Sequence, residues 1–209
     1  MPRYIPIAPE ALVLLCADAC AALPGRLVVG VVGAPVADPE SLADRIAGSL
    51  RVRGRAAEVV RVVDYIRPAS LRLEWGAHDA EAFATSWYDF PALRREVIDS
   101  LHADGSWLPR LWDGLSDRSF RDERQIAAGD QVIVIAGPMV LRADLRLDLG
   151  IALRMSRAAL ARRTPPDEQW TIDPLLDHER DAPLPDIEVR YDHPDRPAVS
   201  CRDRREPRH

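Results

Sequence analysis

The residues with the clearest chemical meaning follow an apolar run, at Gly33 and at Asp38-Pro39-Glu40. A glycine between a buried strand and a helix is where a phosphate-binding loop places free backbone N–H groups, a lysine and a hydroxyl residue. Counted from Gly33, the second glycine, the lysine and the hydroxyl positions hold Asp38, Pro39 and Glu40, and Ser41 lies one place beyond. Proline lacks an N–H, and two carboxylates repel a polyanion. The sequence predicts the scaffold of a nucleotide site without its anion hole.

The charge composition excludes several functional classes. All 28 basic residues of the 209-residue chain are arginines, and 33 acidic residues give a net charge of −5. Because there is no lysine, no other position can supply the phosphate lysine, and Schiff-base chemistry is excluded. The acidic balance argues against a nucleic acid or an anionic membrane surface as a partner. The hydrophobic fraction of 47% is enough for one sizeable core, most simply in one domain.

The cysteines and histidines predict no metal centre. Cys16 and Cys20 lie one helical turn apart in an apolar stretch and are expected to be core residues. The sequence has no CxxC motif, and its five histidines are dispersed, so a zinc site is not expected. Three cysteines without disulfide-like spacing fit a reducing compartment, and we expect a cytoplasmic protein.

The N-terminal apolar segment, residues 11–23, predicts a helix rather than a signal peptide. Glu10 and Asp18 interrupt its apolar character. The flanking Pro9 and Pro24-Gly25 are typical of a helix start and a helix stop. No apolar run approaches the length of a membrane span, so no membrane partner is expected.

Five apolar runs are continuous rather than alternating, which indicates strands buried on both faces of a parallel sheet. They are Arg26–Gly33, Glu58–Asp64, Gln131–Gly137, Arg146–Met155 and Asp186–Tyr191. The helical patterns between them are Pro39–Arg53, Pro91–Leu101 and Ser156–Arg163. This alternation predicts an α/β fold of three layers, a parallel sheet with helices on both faces.

The domain organisation predicted from these patterns has three parts. Residues 1–25 form an N-terminal helix, 26–195 the α/β domain, and 196–209 a charged, flexible tail. Within the domain, residues 67–130 form a long insertion on the substrate side. Its four tryptophans either line a ligand cleft or hold the insertion on the core; they are Trp75, Trp87, Trp107 and Trp112.

The order of these segments resembles the uridine kinase group of P-loop nucleoside kinases, from about Val28 to Pro166. The segments that carry the resemblance are residues 29–33, 62–68, 87–95, 132–141 and 147–166, which include Val62-Val63-Asp64-Tyr65-Ile66-Arg67-Pro68 and Trp87-Tyr88-Asp89-Phe90-Pro91. The resemblance implies a P-loop NTPase-like fold and the site of a nucleoside kinase. It also places Gly33 and Ser41 on the phosphate side and Asp89, Arg67 and Trp87 on the substrate side.

The resemblance assigns a possible role to each polar residue, and each role has a structural alternative. Asp64 matches the general base only after a one-residue shift from Val63, and otherwise it is a solvated carboxylate at a strand end. Asp89 either bonds a ribose hydroxyl or caps the helix that follows. The lid residues Arg162 and Arg163 either neutralise a transferring phosphate or stabilise a helix C-terminus.

Three functions remain open on the sequence. The first is a uridine-kinase-like pseudoenzyme that binds or regulates and needs no cofactor. The second is a weak or unconventional nucleoside kinase, which alone requires magnesium-ATP. The third is an assembly protein without a nucleotide. The partner is accordingly a nucleoside or another small molecule, a protein, or a second copy of the chain, and the sequence does not distinguish these.

Overall fold

The computed structural model describes residues 3–202 and is built around a central sheet. The strands are β1 (Ile5–Pro6), β2 (Leu27–Gly33), β3 (Ala57–Arg61), β4 (Ser106–Trp107), β5 (Trp112–Asp113), β6 (Arg118–Ser119), β7 (Gln125–Ile126), β8 (Val132–Gly137), β9 (Leu149–Arg154), β10 (Ile187–Arg190) and β11 (Ala198–Cys201). The sheet order is β3-β8-β2-β9-β10-β11-β1. The first five of these strands run parallel, and β11 and β1 extend the sheet in antiparallel pairing.

The central strands confirm the prediction of a buried parallel sheet. Every residue of β2 and of β8 is buried. The two strands pair from Leu27 opposite Val132 to Val32 opposite Gly137, while β9 flanks the other side of β2. The crossover from β2 leads to β3 on one side, and the crossover from β8 leads past β2 to β9 on the other. The carboxyl end of β2 therefore lies at the switch point where such sheets place their ligands.

Helices cover both faces of the sheet, as the fold class predicts. They are α1 (Pro9–Ala21), α2 (Pro39–Val52), α3 (Ala69–Arg72), α4 (Ala80–Ser86), α5 (Phe90–Leu93), α6 (Ser100–Ala103), α7 (Arg157–Arg163) and α8 (Ile172–Asp181). Helix α1 packs on α2, which covers β2, β8 and β3. The crossovers β2–α2–β3 and β9–α8–β10 move in opposite directions along the sheet, so right-handed connections put α2 and α8 on opposite faces. None of the helices in the described part of the chain is long and apolar enough to cross a membrane.

The C-terminal end of helix α1 is bound by one arginine, Arg55, which lies just before β3. The Nη1 of Arg55 donates to the carbonyls of Cys20 and Leu23, at 2.7 and 2.9 Å. Its Nη2 donates to Gly25, and its Nε donates to Asp130 just before β8. The guanidinium thus donates to one carbonyl in the last turn of α1, which also accepts the Leu23 N–H, and to two carbonyls in the segment that follows the helix.

The predicted insertion, residues 67–130, consists of short elements. Helices α3 and α4 precede one helical rod, Phe90–Ala103, in which π-helical residues Arg94–Asp99 join α5 to α6. Two small ribbons follow, one of β4 with β7 and one of β5 with β6. The single helix expected at Pro91–Leu101 lies within this rod.

Two boundaries differ from the sequence prediction. The run Glu58–Asp64 is strand only to Arg61, after which residues 62–64 form a 3₁₀ turn. The expected tail, 196–209, contains strand β11, because Val199 is buried and pairs with Val189. Residues 203–209 of that tail lie outside the described residues.

Candidate functional site

The segment between β2 and α2 stands where a phosphate-binding loop was expected. Gly33 ends β2, and a Cβ added there would lie 3.2 Å from the Cβ of Leu153, so this close approach favours glycine. Pro35–Ala37 then form a 3₁₀ turn. Asp38 has a left-handed backbone, with φ 53° and ψ 57°, and α2 begins at the next residue.

The backbone N–H groups of this loop donate to the loop itself. The N–H of Ala37 donates to the Ala34 carbonyl at 2.8 Å, and that of Asp38 to the Pro35 carbonyl at 3.0 Å. The Oδ1 of Asp38 accepts the N–H of Ser41 at 3.1 Å, which makes Asp38 the N-cap of α2. Three N–H groups of the kind that cradle a phosphate are therefore engaged within the loop.

Glu40 adds negative charge at the hydroxyl position of the loop. Burial raises the pKa of its carboxyl group, while a hydrogen bond from its own backbone N–H acts in the opposite direction. Asp38 and Asp44 raise this pKa further, and Arg61 lowers it. The Arg61 guanidinium is already paired with Asp44 at 2.8 Å, so it offers little compensation to an incoming polyanion.

A cleft of about 220 Å³ lies beside the loop, between α1, α2 and the end of α7. It brings together two residues assigned to the phosphate side, Ser41 and Arg163. Tyr191 lines the same cleft, and burial raises the pKa of its phenol. Arg162 is exposed and is not among the residues that line this cleft.

Asp64 lies in the 3₁₀ turn after β3 and is half-buried, whereas Val63 beside it is 44% exposed. Burial raises the pKa of the Asp64 carboxyl group, and Arg61 and Arg110 act in the opposite direction. Side chains alternate between faces only along a strand. Strand β3 ends at Arg61, before Val63 and Asp64. Matching the general base to Asp64 instead of Val63 therefore does not require a side chain to move to the opposite face of the sheet.

The residues predicted on the substrate side lie on two neighbouring segments of backbone. The N–H of Arg67 donates to the carbonyl of Trp87 at 2.8 Å, and the N–H of Asp89 donates to the carbonyl of Tyr65 at 2.7 Å. Asp89 also caps α5, because its Oδ1 accepts the N–H of Ala92 at 3.0 Å. The structure thus brings Arg67, Trp87 and Asp89 together, and it gives Asp89 the capping contact that was its alternative role.

The tryptophans of the insertion have different environments. Trp75 is 75% exposed, and Trp107 is 5% exposed within the core. The Nε1 of Trp112 donates to Asp117 at 3.0 Å. Trp87 packs edge-on against Phe83 and Trp170, with ring centroids 5.2 and 5.5 Å apart.

Three residues that the sequence analysis did not single out lie against Trp87, one of the residues predicted on the substrate side. Trp170 lies far along the chain, after α7, and Phe83 is one apolar residue in a short helix. The Arg72 guanidinium lies 5.6 Å from the centroid of the Trp87 ring. The one signal in the sequence is the spacing of Phe83 and Trp87, which are four residues apart and would lie on the same face of a helix.

The fold class implies magnesium-ATP, and the residues of the loop do not fit it. A triphosphate needs several inward N–H donors, a cation and a magnesium-binding hydroxyl. The loop bonds its own N–H groups, Pro39 stands at the lysine position, and Glu40 at the hydroxyl position. Within residues 3–202, no group of three or more histidine, cysteine, aspartate or glutamate side chains is arranged to hold a metal ion.

The chain matches no protein-family profile and no curated protein sequence. Solved structures do resemble it. A Bacillus stearothermophilus protein proposed to be a uridine kinase is 18% identical, with a TM-score of 0.65 over 82% of this chain and 89% of that one. A Silicibacter sp. TM1040 protein proposed to be a fructose transport system kinase is 20% identical, with a TM-score of 0.65 over 86% of this chain and 97% of that one.

A third structure, that of the YGR205w protein, is 9% identical with a TM-score of 0.59 and covers 94% of this chain and 100% of that chain. Because the sequence identities are this low, the similarity to these structures shows a shared fold and nothing about activity. The mostly parallel sheet and its covering helices match the fold of those neighbours. The chain therefore has a uridine-kinase-like P-loop fold.

Proposed function

We propose that this protein is a uridine-kinase-like pseudoenzyme, which binds a small molecule on the substrate side of the fold and does not transfer phosphate from magnesium-ATP. One observation carries the proposal: the N–H groups of Ala37, Asp38 and Ser41 donate within the loop after Gly33, and the carboxylates of Asp38 and Glu40 belong to the same segment. Opening that loop for phosphate would break the N-cap of α2 and bring carboxylates against a polyanion.

The expected loss of activity is large. Removing one preorganised donor from a site that stabilises developing charge slows the reaction roughly 10²–10³-fold. Here the second glycine, the lysine and the hydroxyl residue are replaced together. Ser41 does not stand at the hydroxyl position, because it lies one residue later in the sequence.

Calorimetric titration with magnesium-ATP tests this proposal. The unmodified protein should bind magnesium-ATP with a Kd of about 1 mM or weaker. A variant with Asp38→Gly, Pro39→Lys and Glu40→Ser should bind at least about ten-fold tighter, because it regains the backbone freedom, the cation and the hydroxyl. A micromolar Kd for the unmodified protein at moderate salt would contradict the proposal.

A matched variant separates the two causes of weak binding. Asp38→Asn with Glu40→Gln removes both negative charges but restores no lysine and keeps the amide acceptor at the N-cap. It should improve binding by less than the three-residue variant does. Equal improvement in both would mean that charge repulsion alone disables the loop.

A weak nucleoside kinase is the second candidate, and the position of Asp64 favours it. The 3₁₀ turn removes the cost of the one-residue shift, and half-burial gives Asp64 the raised pKa of a general base. Magnesium-dependent transfer to uridine or cytidine that disappears in Asp64→Asn would establish this candidate. We expect no turnover above background with either nucleoside.

The ligand remains a nucleoside or another small molecule in this proposal, and intrinsic fluorescence reports on its binding. Trp87 and Trp170 lie in contact on the substrate side, so a ligand there should change their emission. A fluorescence response to a nucleoside and none to ATP supports a ligand-binding pseudoenzyme. No response to a nucleoside panel, together with a stable oligomer, would support an assembly protein instead.

A further inference from the structure

Three hydrogen-bond donor groups converge on the substrate side of the fold. Arg67 and Trp87 are joined by a backbone hydrogen bond of 2.8 Å. The Arg72 guanidinium lies 5.6 Å from the centroid of the Trp87 ring, and its Nε donates to the Arg67 carbonyl at 3.1 Å. Two arginines and an indole N–H therefore share one small region.

Two of these three groups have a buried donor without an acceptor within the described residues, 3–202, whereas Arg72 donates to the carbonyls of Arg67 and Gly114. The Nε of Arg67 and the Nε1 of Trp87 are buried and have no hydrogen-bond partner there. Neither Arg67 nor Arg72 forms an ion pair with a carboxylate in the same part of the chain, unlike many of the arginines elsewhere. Buried donors without acceptors destabilise a fold, so each calls for an explanation, and a bound acceptor group is one.

Trp170 covers this region from the lid side. Its ring lies 5.4 Å from that of Phe83 and 5.5 Å from that of Trp87. It belongs to the 3₁₀ helix Pro166–Thr171, whose residues 166–169 are exposed. A short segment that buries little besides one indole costs little to displace.

We propose that Arg67, Arg72 and Trp87 recognise an oxyanion group, a phosphate monoester or a carboxylate, of the small molecule that this protein binds, and that Trp170 is a displaceable plug over them. This inference rests on the proposed function, since it names the ligand class of the same site. Displacing Trp170 exposes the buried donors, and the oxyanion supplies the acceptors that they lack.

The chemistry of the donors selects an anion over a neutral hydroxyl compound. A guanidinium offers a planar fork of N–H groups that matches carboxylate and phosphate oxygens, and an indole offers a donor only. The nearby Asp117 does not compete, because its Oδ1 accepts the N–H of Ala69 and the Nε1 of Trp112. Glu168 lies on the same 3₁₀ helix as Trp170, so it leaves the region with the plug.

Matched pairs of ligands test the inference by calorimetry on the full chain. Uridine and uridine 5′-monophosphate differ by a phosphate, whereas glucose and glucuronate differ by oxidation of C6 to a carboxylate, with the pyranose ring retained. In at least one pair the anion should bind about ten-fold tighter than its neutral partner or better, and the pair that responds identifies the oxyanion. Equal affinity within both pairs would overturn the inference.

Two substitutions test the donors directly. Arg67→Gln and Trp87→Phe should each weaken binding of the preferred anion about ten-fold or more, and should weaken binding of its neutral partner by less. Trp87→Phe should also leave the Tm unchanged or raise it, because it removes a buried N–H that has no acceptor. A lowered Tm with unchanged anion affinity would assign Trp87 a packing role only and overturn the inference.

Two further substitutions test the plug. Trp170→Leu should strengthen binding of the same anion, because less aromatic contact has to be broken before the ligand enters. Trp75→Leu is the matched control, since Trp75 is 75% exposed, and it should change nothing. Unchanged or weaker binding in Trp170→Leu would remove the plug from the proposal.

The outcomes distinguish this inference from the proposed function. Tight magnesium-ATP binding with preserved anion preference would refute only the pseudoenzyme. Absent anion preference with weak magnesium-ATP binding would refute only the oxyanion site. Arg67→Lys retains the charge, and therefore remains informative if Arg67→Gln folds poorly.

Discussion

Asp38 maintains the closed loop in two ways, and three substitutions separate them. Its backbone is left-handed, and its carboxylate caps α2 through the Ser41 N–H. Alanine removes the cap and keeps an unfavourable backbone. Glycine removes the cap but adopts that backbone freely, whereas asparagine retains both the cap and a tolerated backbone.

The expected free energies of unfolding follow from these contributions. Loss of an N-cap to alanine costs about 0.5–2 kcal/mol, and the same loss to glycine costs only a few tenths. A left-handed backbone costs an ordinary residue such as alanine roughly 1–2 kcal/mol more than it costs glycine. Aspartate and asparagine tolerate this backbone better than alanine does, though less well than glycine. Asp38→Ala should therefore lose about 2 kcal/mol, while Asp38→Gly and Asp38→Asn stay within about 0.5 kcal/mol of the unmodified protein.

Thermal and urea unfolding measure these differences. For a chain of this size, 1 kcal/mol corresponds to about 2–4 °C in Tm, so Asp38→Ala should melt about 4–8 °C lower. Similar Tm values for the alanine and glycine variants would refute the role of the left-handed backbone. An Asp38→Asn variant as unstable as Asp38→Ala would refute the cap.

Three further changes give independent checks. Burial raises the pKa of the Glu40 carboxyl group in the folded protein, so its ionisation opposes folding once the pH exceeds the pKa that the group has in the unfolded chain. Glu40→Gln should therefore increase the free energy of unfolding at pH 7. Urea titrations at several pH values should show this gain vanish below about pH 4. Tyr65→Phe removes a 2.6 Å hydrogen bond to the Leu108 carbonyl and should cost about 1–2 kcal/mol in the same assay, whereas no loss would mean that water replaces the hydroxyl. Gly137 has a φ of 147°, and a Cβ added there would lie 2.6 Å from the Cβ of Val62, so Gly137→Ala should lower the free energy of unfolding by about 2 kcal/mol or more. Gly48 lies inside α2 with open space around it, so Gly48→Ala should raise the free energy of unfolding by about 0.5–1 kcal/mol.

The parts of the fold that follow from local pattern are predictable from sequence. The continuous apolar runs of β2 and β8 predict buried parallel strands, because only burial on both faces tolerates such runs. Pro39 and Asp38 mark the start of α2, since proline suits the first helical turn and aspartate caps it. Pattern fails at Glu58–Asp64, where an apolar run continues past the end of the strand.

The parts that depend on distant contacts are not predictable in this way. Strand β11 has one buried residue, Val199, in a short segment between the charged residues Arg196 and Arg202, and only its pairing with β10 shows that it is a strand. Trp170 reaches the insertion through the tertiary structure and leaves no local signal. The sequence shows at Asp38-Pro39-Glu40 that the usual phosphate-binding residues are missing. The hydrogen bonds that close the loop depend on its backbone geometry, which the sequence does not show.

Arg55 determines how the N-terminal helix takes part in unfolding. Its guanidinium binds carbonyls at the end of α1 and one just before β8, so α1 cannot detach without leaving several polar groups unpaired. The amides of α1 should therefore exchange with deuterium together with those of β8, as one cooperative unit. Since Pro9 and Leu12 of α1 form a wall of the cleft beside the loop, that wall holds its position for as long as the sheet itself is folded.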